Sequence, residues 1–554
     1  MVPTYQILAV DDEKFSLVLL QSCLKDENCT LVTCDNALDA LEEIKKRQFD
    51  VVLLDIMLGA IDGFELRKLI RDVNPKLPII FLTSLMDDID SRLISRIADD
   101  RYSYYLNKSF KKQQLKDKIE HAVTIYREEQ EAAKFYRHLD LELGLACEVQ
   151  RVLLPLWCTL NGDLLSTYLY EPCFRVSGDA FDIIGLEDGR HLVFLGDIVG
   201  HGVQAALYMS AIQSYLKVQH NSSSSQVLEP HMVLNRLSGF FNNNLRGENH
   251  MTCIVAIFDF RRNHLVFQNA GHPALIRCSR REGCAFEVDT QGRGGFPIGW
   301  FPQKMYLAED NVECNFDDDD VFILYTDGLI DLQNEAEETV DEEVMLDHLG
   351  AFTELTNVIP TPFLLCSALE QIGYSFPKDD VCVVEVRKNP ECIPLPETAD
   401  GEQLIMLRLI SLRTAEVSRC VEQFGRFVQE RTDDEELATR VELLLSEFLN
   451  NVVEHDEETH TRVQSGILVV VKIEPPDQVL ATVLDRQSGT AEDKLHIPMP
   501  EDASEVLEHC NRTLTSSGRG LAIIRTIADS IMRKHFKGLN QTEFVIKAEK
   551  PWAS

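Results

Sequence analysis

Three groups of residues in this 554-residue chain have the types and spacing for phosphoryl chemistry. In the middle of the chain, the segments VSGDAFD, GDIVGHG, YTDGLID and PKDD supply Asp179, Asp182, Asp197, Asp327, Asp379 and Asp380. Several of these end a hydrophobic strand-like run or sit in a Gly-containing turn, which gathers carboxylates at a rim that backbone can approach closely. Two divalent ions about 3.5–4 Å apart need bridging and terminal carboxylates, and they activate water by lowering its pKa toward neutrality. An Asp-Gly pair alone is also an ordinary hairpin turn. The joint set is what points to two-metal hydrolysis.

A second group lies at the N-terminus. Asp11 and Asp12 end one apolar run, Asp55 ends another, Thr83 closes the next and Lys108 follows the fourth. In a parallel sheet such ends converge on one crevice. Three carboxylates there suit one Mg²⁺, a hard oxygen-seeking ion that neutralises an incoming phosphoryl group. Lys108 adds a second positive charge, and Thr83 a hydroxyl able to follow the new phosphate.

The third group is C-terminal. In ATRVELLLSEFLNNVVEH, the residues Glu447, Asn451 and His455 are four apart and share one helix face, opposite an apolar stripe of Val441, Leu444, Leu445, Phe448, Leu449 and Val452. Such a face offers an Asn oxygen to Mg²⁺ and a Glu to a hydroxyl; its bland reading is a solvated face. Asp485 ends the strand-like run VLATVLDR, placed to accept from an adenine amine. In SSGRGLAII, Gly518 and Gly520 precede a helix N-terminus, where bare amides and the helix dipole favour phosphate.

The elements that must position these groups divide the chain into a multidomain α/β and α+β protein. Residues 1–125 alternate apolar runs with helical stretches, as a doubly wound parallel sheet does. From 110 to 154 only Gly144 interrupts a helical pattern, and Leu115, Ile119, Ala122, Tyr126, Ala133, Tyr136, Leu143 and Cys147 fall near a heptad stripe that Glu129 and Asp140 break. This predicts a linking helix that either pairs with its twin in a coiled-coil homodimer or packs on its own domains. Residues 155–388 read as many strands with helices near 203–218 and 226–245. The Pro-rich stretch 389–402 reads as a linker, and 403–554 as a final α/β module. SSSS at 222–225 and DDDD at 317–320 read as solvated loops.

With 90 Asp+Glu against 54 Lys+Arg, a net charge of -36, the chain lacks the basic footprint of a nucleic-acid binder. Its 15 Cys are dispersed without a CxxC pair, which suits buried thiols in a reducing compartment rather than a zinc or disulfide framework. No uncharged apolar run of about 18 residues occurs. The expectation is a cytoplasmic protein without nucleic-acid or membrane partners.

The motifs carry family resemblances. VDDE, LLDIMLGAIDGFEL, FLTS and YLNKSF resemble a response-regulator receiver domain of flavodoxin-like fold. The resemblance implies Asp55 as phosphoacceptor, Asp11 and Asp12 as Mg²⁺ ligands beside it, Lys108 and Thr83 as phosphate contacts, and Tyr105 as the switching aromatic. Gly59 in place of Pro, and Ser109 in place of the Pro after the lysine, depart from it. EVQRVLLP, VSGDAFD, DIVGHGVQAALYM, NAGHPALI, FPIGW, YTDGLID and KDDVCVVEV resemble, in order, the metal-dependent Ser/Thr phosphatases of the PPM class, in their SpoIIE-like branch, an α/β/β/α sandwich. That implies Mn²⁺ or Mg²⁺, two ions, with Asp197 bridging, the Ile198 carbonyl as a ligand, Asp179, Asp327 and Asp379 completing the shells, and Asp182 or Asp380 assisting. Cys382 stands where Thr is common, while His201 and His272 read as structural.

The C-terminal set resembles the GHKL ATPase fold, an α/β sandwich, and within it the anti-sigma-factor serine kinases. This implies Asn451 as Mg²⁺ ligand, Glu447 as general base, Asp485 at adenine, and Gly518 and Gly520 near the phosphates of ATP. Gln487 replaces a usual Gly and narrows the pocket, so the alternative is that this module is a non-catalytic anti-sigma or antagonist-binding domain that sequesters a sigma factor or an antagonist; an anti-sigma or sigma factor is in either case a further expected partner. The three-part order resembles bacterial partner-switching regulators. It implies an upstream histidine kinase or histidine phosphotransfer protein acting on Asp55, and a phosphatase acting on a STAS-type anti-sigma-factor antagonist that the C-terminal kinase phosphorylates. The rival is a constitutive phosphatase with a merely docking receiver.

Overall fold

The computed structural model describes residues 5–549 except 26–27, 60, 84–95, 98, 201, 221–226, 245–248, 302, 354–359, 376, 394–403, 412–413, 458–465, 475 and 487–518. The chain forms two compact units, 1–142 and 143–554.

In the first unit five parallel strands lie in the order Cys29–Cys34, Tyr5–Val10, Val51–Asp55, Ile79–Thr83, Ser103–Asn107. Helices Lys14–Leu24, Ala37–Lys46 and Gly63–Val73 connect them. VVLLD is buried throughout, as a strand covered on both faces must be. The sheet reverses its order between Tyr5–Val10 and Val51–Asp55, so a crevice opens where Asp11 and Asp55 stand. Helix Gly63–Val73 begins with a capping box between Asp62 and Glu65.

The linking helix runs Lys112–Leu153. Its heptad stripe is not used uniformly. Leu115, Ile119 and Ala122, with Val123 beside them, are buried against the strands Tyr5–Val10, Val51–Asp55 and Ile79–Thr83, whereas Tyr126, Ala133, Leu143 and Cys147 are half-buried and Tyr136 is exposed, as are its off-stripe neighbours Phe135, Leu139 and Leu141. The first turns of the stripe therefore complete the receiver core.

The second unit contains two antiparallel sheets with a large shared core. One sheet orders Val312–Asn315, His264–Ala270, Met251–Asp259, His191–Ile198, Asp179–Gly185; the other orders Cys284–Glu287, Ile276–Ser279, Val321–Tyr325, Val381–Lys388, Leu164–Glu171, Cys158–Asn161. Helices Val203–His220 and Pro230–Asn244 cover the first, and Glu342–Phe352 and Thr361–Gln371 cover the second. A further sheet, Ile405–Ser411, Gly466–Glu474, Gln478–Arg486, Leu539–Lys547, Ser530–Phe536, carries helices Thr414–Thr432, Glu435–Glu457 and Arg519–Ile527 on one face.

Two sequence expectations are corrected. The DDDD run is not simply solvated: Asp320 is buried and accepts from Arg277 (Nε, 2.8 Å), and Asp318 pairs with Lys388. The start of the expected linker is ordered, with Asn389 N–H donating to Asp163 O at 2.8 Å and a short turn at Pro390–Cys392. The SSSS run lies outside the described residues. Among the described residues no cysteine is paired, and no helix is long and apolar enough to cross a membrane.

Candidate functional site

In the N-terminal crevice Lys108 Nζ lies 2.9 Å from Asp11 Oδ2 and 3.1 Å from Asp55 Oδ1. Asp11 and Asp55 are buried and Asp12 is exposed. Ligand oxygens of these three carboxylates all lie within 4.8 Å of one another, the one such group among the described residues. Burial, outweighing Lys108, pushes the Asp55 carboxyl above its usual range. An all-oxygen trio fits a hard divalent cation. Thr83 ends the neighbouring strand, and its carbonyl accepts from Lys108 N–H at 2.6 Å. Tyr105 is exposed, with Lys118 Nζ 5.8 Å from its ring centroid. A Cβ on Gly63 would stand 2.3 Å from the Asp55 carbonyl oxygen, so only glycine lets the loop after Asp55 close.

The central aspartates come from four separate segments. Asp179 and Asp197 are directly opposed on adjacent antiparallel strands, a like-charge pairing that costs stability without a counter-charge. Burial and Asp197 push the Asp179 carboxyl well up, and burial together with Asp327 and Asp379 raises Asp197 to about 7. Asp327 and Asp379 stand at the exposed rim. Gly328 makes their approach possible, since a Cβ there would lie 2.0 Å from the Asp380 carbonyl oxygen. A Cβ on Gly178 would lie 3.2 Å from the Ile198 carbonyl oxygen, so that carbonyl faces the turn presenting Asp179. A buried carboxylate, Asp179, opposite a half-buried one, Asp197, each raised by burial and by neighbouring carboxylates, fits a cation-binding role, and the all-oxygen donor set fits Mg²⁺ or Mn²⁺.

Two of the six sequence candidates behave differently. Asp182 is three residues from Asp179 on one strand and therefore points to the opposite face; its carboxylate lies 3.8 Å from Lys217 Nζ, under helix Val203–His220. Asp380 is held by backbone: Oδ1 accepts from Cys173 N–H (2.7 Å) and Oδ2 from Gly178 N–H (2.8 Å). These two bonds tie Asp380 to the segment leading to Asp179. His272 is buried, its Nδ1 is 3.1 Å from Thr252 Oγ1, Thr252 pairs with Asp197, and burial lowers the imidazole to about 3. His201 lies outside the described residues.

Residues without a role in the sequence reading also build this site. Thr326, fully buried, donates from Oγ1 to Asp179 Oδ2 (2.8 Å) and accepts from Cys382 N–H (2.9 Å). Gln150 of the linking helix grips Ser177 from both sides, Nε2 donating to its carbonyl (2.7 Å) and Oε1 accepting from its N–H (3.1 Å). Ser177 Oγ in turn accepts from Asp179 N–H at 3.0 Å. A polar side chain three residues after Cys147, at the next position of the heptad stripe, was the available signal for Gln150.

In the C-terminal domain Glu447 and Asn451 are half-buried on helix Glu435–Glu457. Asp485 is buried near the end of strand Gln478–Arg486, and its Oδ2 accepts from Asn540 Nδ2 at 3.0 Å. Gly520 lies in the first turn of helix Arg519–Ile527. Gln487 and Gly518 lie outside the described residues. Asp485, Asn451 and Gly520 thus lie on three different elements of one domain.

Comparison with known proteins agrees with this division. Residues 7–120 match the response regulator receiver domain, 187–389 match Stage II sporulation protein E (SpoIIE), and 410–546 match the histidine kinase-like ATPase domain. Phosphoserine phosphatase RsbP of Bacillus subtilis is 25% identical over 200 residues, covering 36% of this chain and 47% of its own. Protein IcfG of Synechocystis is 23% identical over 288 residues, covering 47% and 43%. The matched stretches span less than half the length of these curated relatives. The RsbU and RsbW domains of Rv1364c from Mycobacterium tuberculosis align with 72% of this chain and 97% of theirs, at 20% identity and a TM-score of 0.36. The chain therefore joins, in order, a receiver domain, a SpoIIE-type PPM phosphatase domain and a histidine kinase-like ATPase domain.

Proposed function

We propose that this protein is a response regulator in which phosphorylation of Asp55 controls a metal-dependent protein Ser/Thr phosphatase, opposed by an ATP-dependent serine kinase in the C-terminal domain. The observation that carries the reading is the in-register opposition of buried Asp179 and half-buried Asp197, with Asp327 and Asp379 at the rim. Asp197 would bridge two Mn²⁺ or Mg²⁺ ions, with Asp179, Asp327, Asp379 and the Ile198 carbonyl as further ligands. Such ions would supply a water of near-neutral pKa and a clamp on the phosphoryl oxygens. Thr326, Asp380 and Ser177 hold the carboxylates in place.

In the receiver, Asp11 and Asp12 would hold Mg²⁺, and Lys108 and Thr83 would contact the phosphate on Asp55, with Tyr105 as the switching aromatic. Gln150 supplies a route from the linking helix to the phosphatase, because its partner Ser177 holds Asp179. Exposed Tyr136 of the heptad stripe, with exposed Phe135 and Leu139 beside it, supports pairing of two chains along that helix. In the C-terminal domain Asn451 would take Mg²⁺, Glu447 would act as base, Asp485 would bind adenine, and Gly518 and Gly520 would approach the phosphates of ATP. The similarity to a phosphoserine phosphatase and to RsbU and RsbW domains supports a STAS-type anti-sigma-factor antagonist as the shared substrate of both activities. An upstream histidine kinase or phosphotransfer protein would phosphorylate Asp55.

The test is Mn²⁺-dependent release of phosphate from a phosphoserine STAS protein by the purified chain. Asp197→Ala should lower the rate at least about a hundredfold, while Asn451→Ala should abolish ATP-dependent rephosphorylation. Hydrolysis undiminished in Asp197→Ala defeats the reading.

A further inference from the structure

The ATPase sheet does not leave its outer face to water. Along Gly466–Glu474 the side chains alternate, as a strand requires: Ile467, Val469 and Val471 face the helices of their own domain, while Leu468 and Val470 join Leu407, Leu484 and Leu539 in the core of the phosphatase. Polar contacts fix the docking. The buried Trp157 donates from Nε1 to Gly466 O at 2.8 Å, and its ring lies edge-on to Phe363, centroids 6.0 Å apart. Arg486 places its guanidinium 5.8 Å from the Phe363 ring centroid, a cation–π distance, with Tyr168 and Glu171 among its electrostatic neighbours. Lys537, in the turn between the last two strands, meets Glu171 at 3.0 Å.

Each side of this contact lies one or two residues from a candidate site. On the ATPase side Arg486 directly follows Asp485, and Gly466 precedes Ile467, which pairs with Asp485 across the sheet. On the phosphatase side Glu171 pairs with Val381, the residue after Asp380. Its neighbour Tyr170 donates from its hydroxyl to Asp179 O at 3.3 Å. The two strand ends are thus joined by continuous contacts.

We propose that this face is a coupling interface, with Arg486 and Lys537 as positioning residues, through which a nucleoside triphosphate in the C-terminal domain alters phosphatase turnover in the same chain. The inference rests on the ATP reading given above. It is tested on the intact chain with p-nitrophenyl phosphate as substrate, with and without Mg²⁺ and a non-hydrolysable ATP analogue, while binding of the analogue is followed by calorimetry. Coupling free energies between sites typically correspond to 5–150-fold effects, so the analogue should change kcat/KM by about fivefold or more. Lys537→Ala and Arg486→Ala should bind the analogue yet lose most of that response, and Asn451→Ala should lose both binding and response. Lys537→Ala, at the turn, keeps the test meaningful if Arg486→Ala does not fold. Bound analogue with an unchanged rate overturns the coupling and leaves the ATP site standing. Absence of binding overturns the ATP reading and the coupling with it. A response that survives in Lys537→Ala and Arg486→Ala overturns the assigned route, and one that survives in Asn451→Ala shows direct competition at the phosphatase site and overturns the coupling.

Discussion

Thr326→Val should damage the phosphatase site without touching a carboxylate. Valine matches the volume of threonine but lacks the hydroxyl that donates to Asp179 Oδ2 and accepts from Cys382 N–H. Thr326 is fully buried, so water cannot replace either bond. A hydrogen bond contributes roughly 0.5–1.5 kcal/mol net, and an orphaned buried donor costs roughly 1–3 kcal/mol. The two losses share one site, so about 3 kcal/mol in total is expected, and the melting temperature should fall by about 6–12 °C for a domain of this size. Freed of its partner, Asp179 is less well oriented, and loss of a group that orients a ligand typically costs about 10–100-fold in metal affinity or activity. Thermal unfolding with a chelator reads the first effect, and Mn²⁺ titration of p-nitrophenyl phosphate hydrolysis reads the second. Thr326→Ser should recover most of both, because it keeps the hydroxyl. A Thr326→Val protein with the wild-type melting point and Mn²⁺ dependence would refute the argument that this hydroxyl preorganises Asp179.

Other outcomes follow from the same geometry. In chelator, folded carboxyls raised above the unfolded value bind protons more tightly than the unfolded chain does. Stability should therefore fall as pH rises from about 4 toward the value of about 7 for Asp197; saturating Mn²⁺ should flatten that slope, and melting curves at pH 5, 6 and 7.5 measure it. Gln150→Ala removes both bonds to Ser177, so phosphatase rates with and without a beryllofluoride-treated receiver should converge to within about twofold while the fold is retained. Asp55→Ala should remove the response to phosphodonor and leave basal hydrolysis in place; an intact response would favour a receiver that merely docks.

Local chemistry carried much of the fold into the sequence. Apolar runs of five or six residues ending in Asp11 and Asp55 marked strands buried on both faces, because no other element hides such a run and still ends on a carboxylate at the crevice. The three domains were legible for the same reason, each having its own periodicity and its own set of polar residues. The ranking among the aspartates was not legible from local pattern; only the family resemblance set Asp182 and Asp380 apart. Asp179 and Asp182 look alike in VSGDAFD, and strand alternation puts only one of them toward Asp197; which one is decided by pairing with the strand His191–Ile198. Asp379 and Asp380 are adjacent in PKDD, yet Asp380 is taken up by the N–H groups of Cys173 and Gly178, some 200 residues earlier. The DDDD run looked like solvent-facing charge until Arg277 and Lys388 were brought to it.

By itself, then, the sequence determined which residue types were available for phosphoryl chemistry and the order of the domains that carry them, because strand-end carboxylates, helix faces and turn glycines are local properties of the chain. Tertiary structure decided which carboxylates oppose one another, which are consumed in holding loops, and where the outer face of the ATPase sheet is spent. Those outcomes depend on strand register and on hydrogen bonds between residues hundreds of positions apart, which no local pattern encodes.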